Sequence, residues 1–335
     1  MHSTPIFSNN LNLELEQTIE KLGVSKVIII CDENTKSHCL TLIKSSLYNE
    51  VITVNSGEQS KSISTYEKIC NQLLLWSADK NSLLISLGGG VVSDLTGFVA
   101  ATYKREIKYI NIPTSLLAMV DAAIGGKTGV NAGGIKNSLG AIHFPEAVLS
   151  SSELLKTLPK DELLSGYGEV VKHCFISGIP FPNFSNEIDN EQLSKWSEVK
   201  YQVVSTDPLE KHERFILNAG HTVAHALESF AMKHKFPLKH GHAVVHGLLI
   251  EGVLAGKLSN NLKDLSLFQN ELIKVYGKFP FATSDISKLI EKMKNDKKNQ
   301  STEIQFAFIS KENKLALQSA RLRDIEKALE TYLKW

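Results

Sequence analysis

Cysteine is scarce: Cys31, Cys39, Cys70 and Cys174 are the only four, and no two form a Cys-x-x-Cys pair. That spacing excludes a disulfide scaffold and a zinc–thiolate centre, and it fits a reducing compartment. An excess of either charge is also missing. With 37 Lys and Arg against 36 Asp and Glu, no global field holds the chain to nucleic acid or to an anionic membrane. Any anion it binds must be held by a local cluster. No apolar run approaches the roughly 18 residues of a membrane span. The opening Met1–Pro5 lacks the basic and then apolar stretches of a secretion signal. The expectation is a cytoplasmic protein with neither nucleic-acid nor membrane partners. Internal repeats and low-complexity tracts are lacking too, and the short run Lys292–Lys298 reads as solvated surface.

What is present is the composition of a soluble globular chain, 42% hydrophobic and 22% charged, long enough at 335 residues for two cores. The first half alternates short β-branched runs (Lys26–Ile30, Val51–Val54, Ser82–Leu87, Tyr109–Ile112) with helical patterns, as in a parallel α/β sheet. From about Ser152 the apolar spacing turns helical over Asp161–Ile176, Leu193–Val204, Arg214–Met232 and His240–Leu258. Ile304–Ile309 then alternates like a strand, and Leu322–Leu333 reads as a closing helix. These patterns predict a Rossmann-like parallel-sheet domain over residues 1–150 and a mainly α-helical domain over 151–335.

The apolar strand Leu83–Leu87 runs into Gly88-Gly89-Gly90-Val91-Val92-Ser93-Asp94 and then a helical pattern. A strand, a glycine turn and a helix N-terminus aim backbone N–H groups and the helix dipole at an anion. Ser93 stands where a full dinucleotide fingerprint has its third glycine, and the blander account is a tight turn without a ligand. A second cluster, Gly125-Gly126-Lys127-Thr128-Gly129, contains Gly-Lys-Thr, but Asp121 occupies the position where a phosphate-binding P-loop needs its first glycine. An ATPase is therefore rejected, leaving a glycine turn that carries a lysine.

Seven of the eleven histidines fall between His212 and His246. On a continuous helix Arg214, Asn218, His221 and His225 share one stripe, a poor core face and a good site wall. His221 and His225, four apart, can both reach one metal ion, as can His240. A carboxylate is supplied by Glu169, three residues before Lys172 on a predicted helix; the blander account of that pair is a solvated surface. Three His and Glu ligands with an open position describe a catalytic site for a divalent ion, and zinc, cobalt and iron all suit the donors.

The order of segments along nearly the whole chain resembles the 3-dehydroquinate synthases. The matching segments are Ser56–Lys61, Gly88–Asp94, Arg105, Pro113–Ser115, Val120–Asp121, Gly125–Asn131, Lys136–Asn137, Leu155–Pro159, Gly168–Lys172, Arg214–His225, His240–Gly241 and Asp296–Lys298. The resemblance implies NAD held by Glu58, Lys61, the turn Gly89, Gly90, Val91, Val92, Ser93 and Asp94, by Thr114, Ser115, Lys127 and Lys136, and by Leu154, Leu155, Lys156 and Thr157. It implies one zinc or cobalt ion on Glu169, His221 and His240. Around a sugar acid phosphate substrate it places Asp121, Lys127, Asn137, Lys172, Lys200, Arg214, Asn218, His225, Lys297 and Lys298. It also implies a homodimer in which Arg105 reaches the neighbouring subunit's substrate phosphate.

Two positions depart from the family pattern: Glu106 follows Arg105 where glycine is common, and His242 follows His240-Gly241 where glutamate is common. His242 is thereby a candidate for supporting or competing with His240. The rival readings are another sugar phosphate cyclase of the 2-deoxy-scyllo-inosose or valiolone type, a metal-dependent polyol dehydrogenase, and a non-catalytic nucleotide-binding relative. Asn218 and His225 argue against the first.

Overall fold

The structure is a computed structural model that describes residues 4–184, 187–258, 263–294, 303–309 and 315–335. The chain divides into two compact units. The first is Met1–Gly166 with Ser185–Leu209, and the second is Tyr167–Phe184 with Glu210–Trp335.

In the first unit the β-branched runs become strands because they fit a pleated surface covered on both faces. The strands are β1 (Ile6–Phe7), β2 (Val27–Asp32), β3 (Glu50–Val54), β4 (Leu83–Gly88), β5 (Lys108–Pro113), β6 (Lys127–Ala132), β7 (Ile135–Ile142) and β8 (Ala147–Ser150). Six of them form one sheet in the order β1-β8-β5-β4-β2-β3, with every pairing parallel. The helices are α1 (Leu11–Leu22), α2 (Glu33–His38), α3 (Ile63–Leu75), α4 (Gly90–Thr102) and, further along, α6 (Asn190–Thr206). Helix α5 (Lys160–Ser177) lies between them in sequence and contributes to both units. All of β4 is buried, which is why it reads as a continuous apolar run. Adjacent ends of β4 and β5 pair Gly88 with Pro113, and Thr114 N–H donates to the Gly88 carbonyl at 3.0 Å. The glycine turn and the Thr114-Ser115 corner therefore share the carboxyl edge of the sheet, where open α/β sheets bind ligands. Strands β6 and β7 form a separate antiparallel hairpin.

The second unit has α7 (His221–Lys233), α8 (His240–Leu258), α9 (Lys263–Tyr276), α10 (Ile286–Lys294), the antiparallel pair β9 (Glu303–Ile309) and β10 (Leu315–Arg321), and α11 (Leu322–Lys334). Val223, Leu227, Val244, Leu248, Leu289, Ile325 and Leu329 lie in its core. Helix α8 is apolar nearly all round because it is buried nearly all round. Among the described residues no helix is long and apolar enough to cross a membrane.

Two pairs of glycines let the helices of this unit touch backbone to backbone. A Cβ on Gly168 of α5 would overlap the Gly241 carbonyl at the start of α8, and one on Gly247 of α8 would overlap the Gly220 carbonyl before α7. The neighbours of these glycines are Glu169, His240 and His221.

The Gly168 contact fixes a sign. Helix propensity alone makes Gly168→Ala stabilising by about 1 kcal/mol. The clash with Gly241 makes it destabilising by roughly 1–3 kcal/mol. Denaturant unfolding of Gly168→Ala should show a lowered midpoint, and a raised one would refute the close approach.

Candidate active site

The expected stripe on a single helix is corrected by the backbone. Glu213–Asn218 is a 3-10 turn, Gly220 takes the left-handed conformation at φ 79°, and α7 begins only at His221. The left-handed residue breaks the helical repeat, so Arg214 and Asn218 are placed by a turn while His221 and His225 are placed by α7. Arg214 is buried, and the buried amide nitrogen of Asn218 makes no hydrogen bond among the described residues.

Glu169, His221 and His240 do converge: one donor atom from each lies within 4.8 Å of the others. Glu169 Oε1 is 3.2 Å from His240 Nε2 and 3.7 Å from His221 Nε2. The opposite ring nitrogens are engaged elsewhere. His221 Nδ1 lies 3.2 Å from the Ala219 carbonyl, and His240 Nδ1 lies 3.4 Å from Glu228 Oε1. A carbonyl can only accept, so the His221 proton sits on Nδ1 and the Nε2 lone pair faces Glu169. One carboxylate and two imidazoles, oriented from behind, fit a divalent ion of the zinc or cobalt type.

Lys172 forms an ion pair with Glu169, and both side chains are almost wholly buried. The pair is interior, so the solvated-surface account fails. His225 stands edge-on to His221 with ring centroids 5.6 Å apart. His242 turns instead to Tyr276, edge-on at 5.1 Å, and it is not in the convergent donor set found among the described residues.

Burial, reinforced by the Lys172 ammonium, holds His221 down at about 3, so it is neutral and ready to ligate. Burial also acts to lower His240, but hydrogen bonds to Glu169 and Glu228 outweigh it and hold this ring up at about 10.

Two residues of this unit escaped the sequence reading. Glu228 lies three residues after His225 and seven after His221, on the same face of α7; that spacing was the available signal. Glu251 is a lone carboxylate in the apolar helix α8. It accepts hydrogen bonds from Gly220 N–H at 2.7 Å and Val223 N–H at 3.1 Å. It thereby caps α7, whose own cap residue is a glycine without a side chain. An acidic residue inside an apolar run must find donors, which was the signal here.

In the first unit, α4 starts at the glycine turn with Gly89 as its cap, a residue with no side chain to accept from the first N–H groups. A Cβ on Gly89 would meet Ser115 Oγ at 3.4 Å and one on Gly90 would meet Ala122 at 3.2 Å. This is a cradle that side chains would fill, and it suits the pyrophosphate of a dinucleotide. Buried Lys61 bonds both Asp94 and Asn137. Asp121, in the turn Ala118–Ala122, pairs with Lys200 of α6 at 2.7 Å. Glu58 opens the turn Glu58–Ser60, Lys127 begins β6, Lys136 lies in β7, and Leu154, Leu155, Lys156 and Thr157 follow β8. After Gly125-Gly126 the chain enters a strand and not a helix, as the rejection of a P-loop requires.

Lys104, Arg105 and Glu106 all have positive φ, at 49°, 61° and 90°. Such a conformation costs a side chain on the order of 1–3 kcal/mol per residue. Glycine would adopt the Glu106 conformation freely. Here Glu106 Oε1 instead reaches His143 Nδ1 at 3.5 Å, and exposed Arg105 stands at the tip. Lys297 and Lys298 lie outside the described residues.

Known proteins match this chain along its length. A family model described as the N-terminal part of 3-dehydroquinate synthase matches residues 51–165, and one for its C-terminal part matches residues 166–299. A 3-dehydroquinate synthase from Parabacteroides distasonis is 35% identical over 98% of this chain and 97% of its own length. Among solved structures, a 2-deoxy-scyllo-inosose synthase complexed with carbaglucose-6-phosphate, NAD+ and Co2+ superposes with a TM-score of 0.81. It is 23% identical and covers 97% of this chain and 95% of its own. A 2-epi-5-epi-valiolone synthase from Streptomyces hygroscopicus with NAD+ and Zn2+ bound follows at 0.78 and 20% identity, covering 100% of this chain and 97% of its own. At these identities the two structures establish the fold.

The His240 proton gives metal binding a pH dependence. The ring must shed that proton to ligate, so the apparent affinity should rise about tenfold per pH unit as pH increases toward 10. Cobalt titrations followed by d–d absorbance at pH 6, 7 and 8 test this, and a pH-independent affinity would contradict the assignment of His240.

Proposed function

The chain belongs to the 3-dehydroquinate synthase family, and on that premise we propose how its residues convert 3-deoxy-D-arabino-heptulosonate 7-phosphate to 3-dehydroquinate and phosphate. The reaction makes the protein a carbon–oxygen lyase of aromatic amino acid biosynthesis. The overall sequence is oxidation at C5, loss of the C6 proton and of phosphate, re-reduction, ring opening and aldol closure. Bound NAD supplies the reversible oxidation, and a divalent ion supplies charge that acidifies the hydroxyl being oxidised.

The observation that carries this reading is the convergence of Nε2 of His221 and His240 on Glu169, with both Nδ1 atoms already engaged. These three residues hold the ion. The glycine turn and Glu58, Lys61, Asp94, Thr114, Ser115, Lys127, Lys136 and the Leu154–Thr157 segment hold the dinucleotide. By resemblance, the residues for the substrate are Arg214, Lys172, Lys200, Asn137, Asn218 and His225, with Asp121. Cationic forks and ammonium groups suit an anion bearing both carboxylate and phosphate, and they orient it as well as attract it. Lys297 and Lys298 belong to the same set by resemblance.

Chelator-treated protein should lose phosphate release and recover it with zinc or cobalt, and product should form in large excess over NAD. NADH accumulating one for one with product would identify a polyol dehydrogenase instead, and full activity without metal would remove the metal site.

The family reading also makes the protein a homodimer with Arg105 acting in trans on the partner's phosphate, a role for which a bidentate guanidinium is suited. Arg105→Ala and Lys172→Ala should each be inactive. Mixed under subunit exchange, the two should recover roughly a quarter of wild-type activity, since half of random dimers carry one complete site of two. Mixed dimers as inactive as their parents would place Arg105 in cis.

A further inference from the structure

Asn131 belongs to none of the groups assigned above, yet it joins two of them. The register of the β6–β7 hairpin pairs Val130 with Leu139 and Ala132 with Ile135, so Asn131 alone opposes Lys136, Asn137 and Ser138. Such irregularities re-aim side chains. Here Asn137 is turned into the left-handed conformation at φ 52°. Its N–H donates to Asn131 Oδ1 at 2.7 Å, while Asn131 Nδ2 donates to Glu58 Oε1 at 2.8 Å. The Asn131 backbone N–H donates to the Lys61 carbonyl at 2.8 Å. Lys61 in turn bonds Asn137 Oδ1 and Asp94. The amide thus uses its acceptor on the segment assigned to substrate and its donor on the residue assigned to the dinucleotide.

We propose that Asn131 is a positioning residue that ties the dinucleotide contact Glu58 to the substrate contact Asn137, so that one side chain sets both. The proposal rests on the functional reading for the identity of the two ligands. The two arms of the amide are separable because they use opposite chemistry. A carboxylate at this position still accepts from Asn137 N–H, but it cannot donate to Glu58 and places a like charge against it.

The test compares Asn131→Asp with Asn131→Ala, after far-UV circular dichroism has shown each to be folded. NAD affinity is read by calorimetry and the substrate KM at saturating NAD. Asn131→Asp should weaken NAD binding about tenfold and leave the KM within about twofold of wild type, whereas Asn131→Ala should shift both about tenfold. An unchanged NAD affinity in Asn131→Asp, or a KM in that variant raised as far as in Asn131→Ala, overturns the proposal. Should Asn131→Ala not fold, the split between affinity and KM in Asn131→Asp decides alone. A wild-type protein that released no phosphate would fault the functional reading, while the NAD titration, which needs no turnover, would still judge Asn131.

Discussion

Burying a carboxylate costs several kcal/mol unless other charges answer it, and Glu169 is 1% exposed. Much of the second unit follows from that expense. Lys172 one turn away supplies a cation, His240 lies 3.2 Å off, and His221 is kept neutral between them. A divalent ion would have to displace the His240 proton, and it would then answer the buried carboxylate directly. The apolar packing of α7 against α8 holds this charge cluster in a fixed geometry, and the cap from Glu251 fixes where α7 begins. Polar chemistry and hydrophobic packing are not separate layers here: each histidine's position is a statement about a helix terminus.

Much of this was legible in the sequence because it is periodic. The parallel sheet appeared as β-branched runs, α5 and α8 as long helical spacings, and the site through histidine density and the Glu169–Lys172 spacing. The stripe from Arg214 to His225 misled for a local reason. A repeat of 0, 4, 7 and 11 is compatible with one helix, and only the left-handed backbone at Gly220, which no periodicity reports, divides it. The burial of the Glu169–Lys172 pair was equally silent, since an i, i+3 ion pair has the same spacing on a surface and in a core. Glu228 and Glu251 left signals in spacing and in an apolar run, but which nitrogens they reach, like the two partners of the Asn131 amide, is a property of three dimensions.

The first unit solves a different problem. Its sheet is rigid and buried, but the residues assigned to ligands stand on the turns and the hairpin at its margin. Backbone strain is concentrated at two of these places, the Lys104–Glu106 turn and Asn137. At Asn137, side-chain hydrogen bonds with Asn131 and Lys61 hold what the backbone resists, whereas exposed Glu106 has only a 3.5 Å approach to His143.

The glycine contacts between helices also bear on how this lineage can diverge. Gly168 meets the Gly241 backbone and lies beside one of the three donors as Gly241 lies beside another, so Gly168 admits no side chain without pressing Glu169 and His240 apart. Mutational drift at the site is thereby channelled outward. The donors and their spacing are frozen by packing, and variation in which ion the protein prefers must enter through residues such as Glu228, which bears on a donor from behind. A family built this way is expected to keep its ligands unchanged while its metal preference wanders.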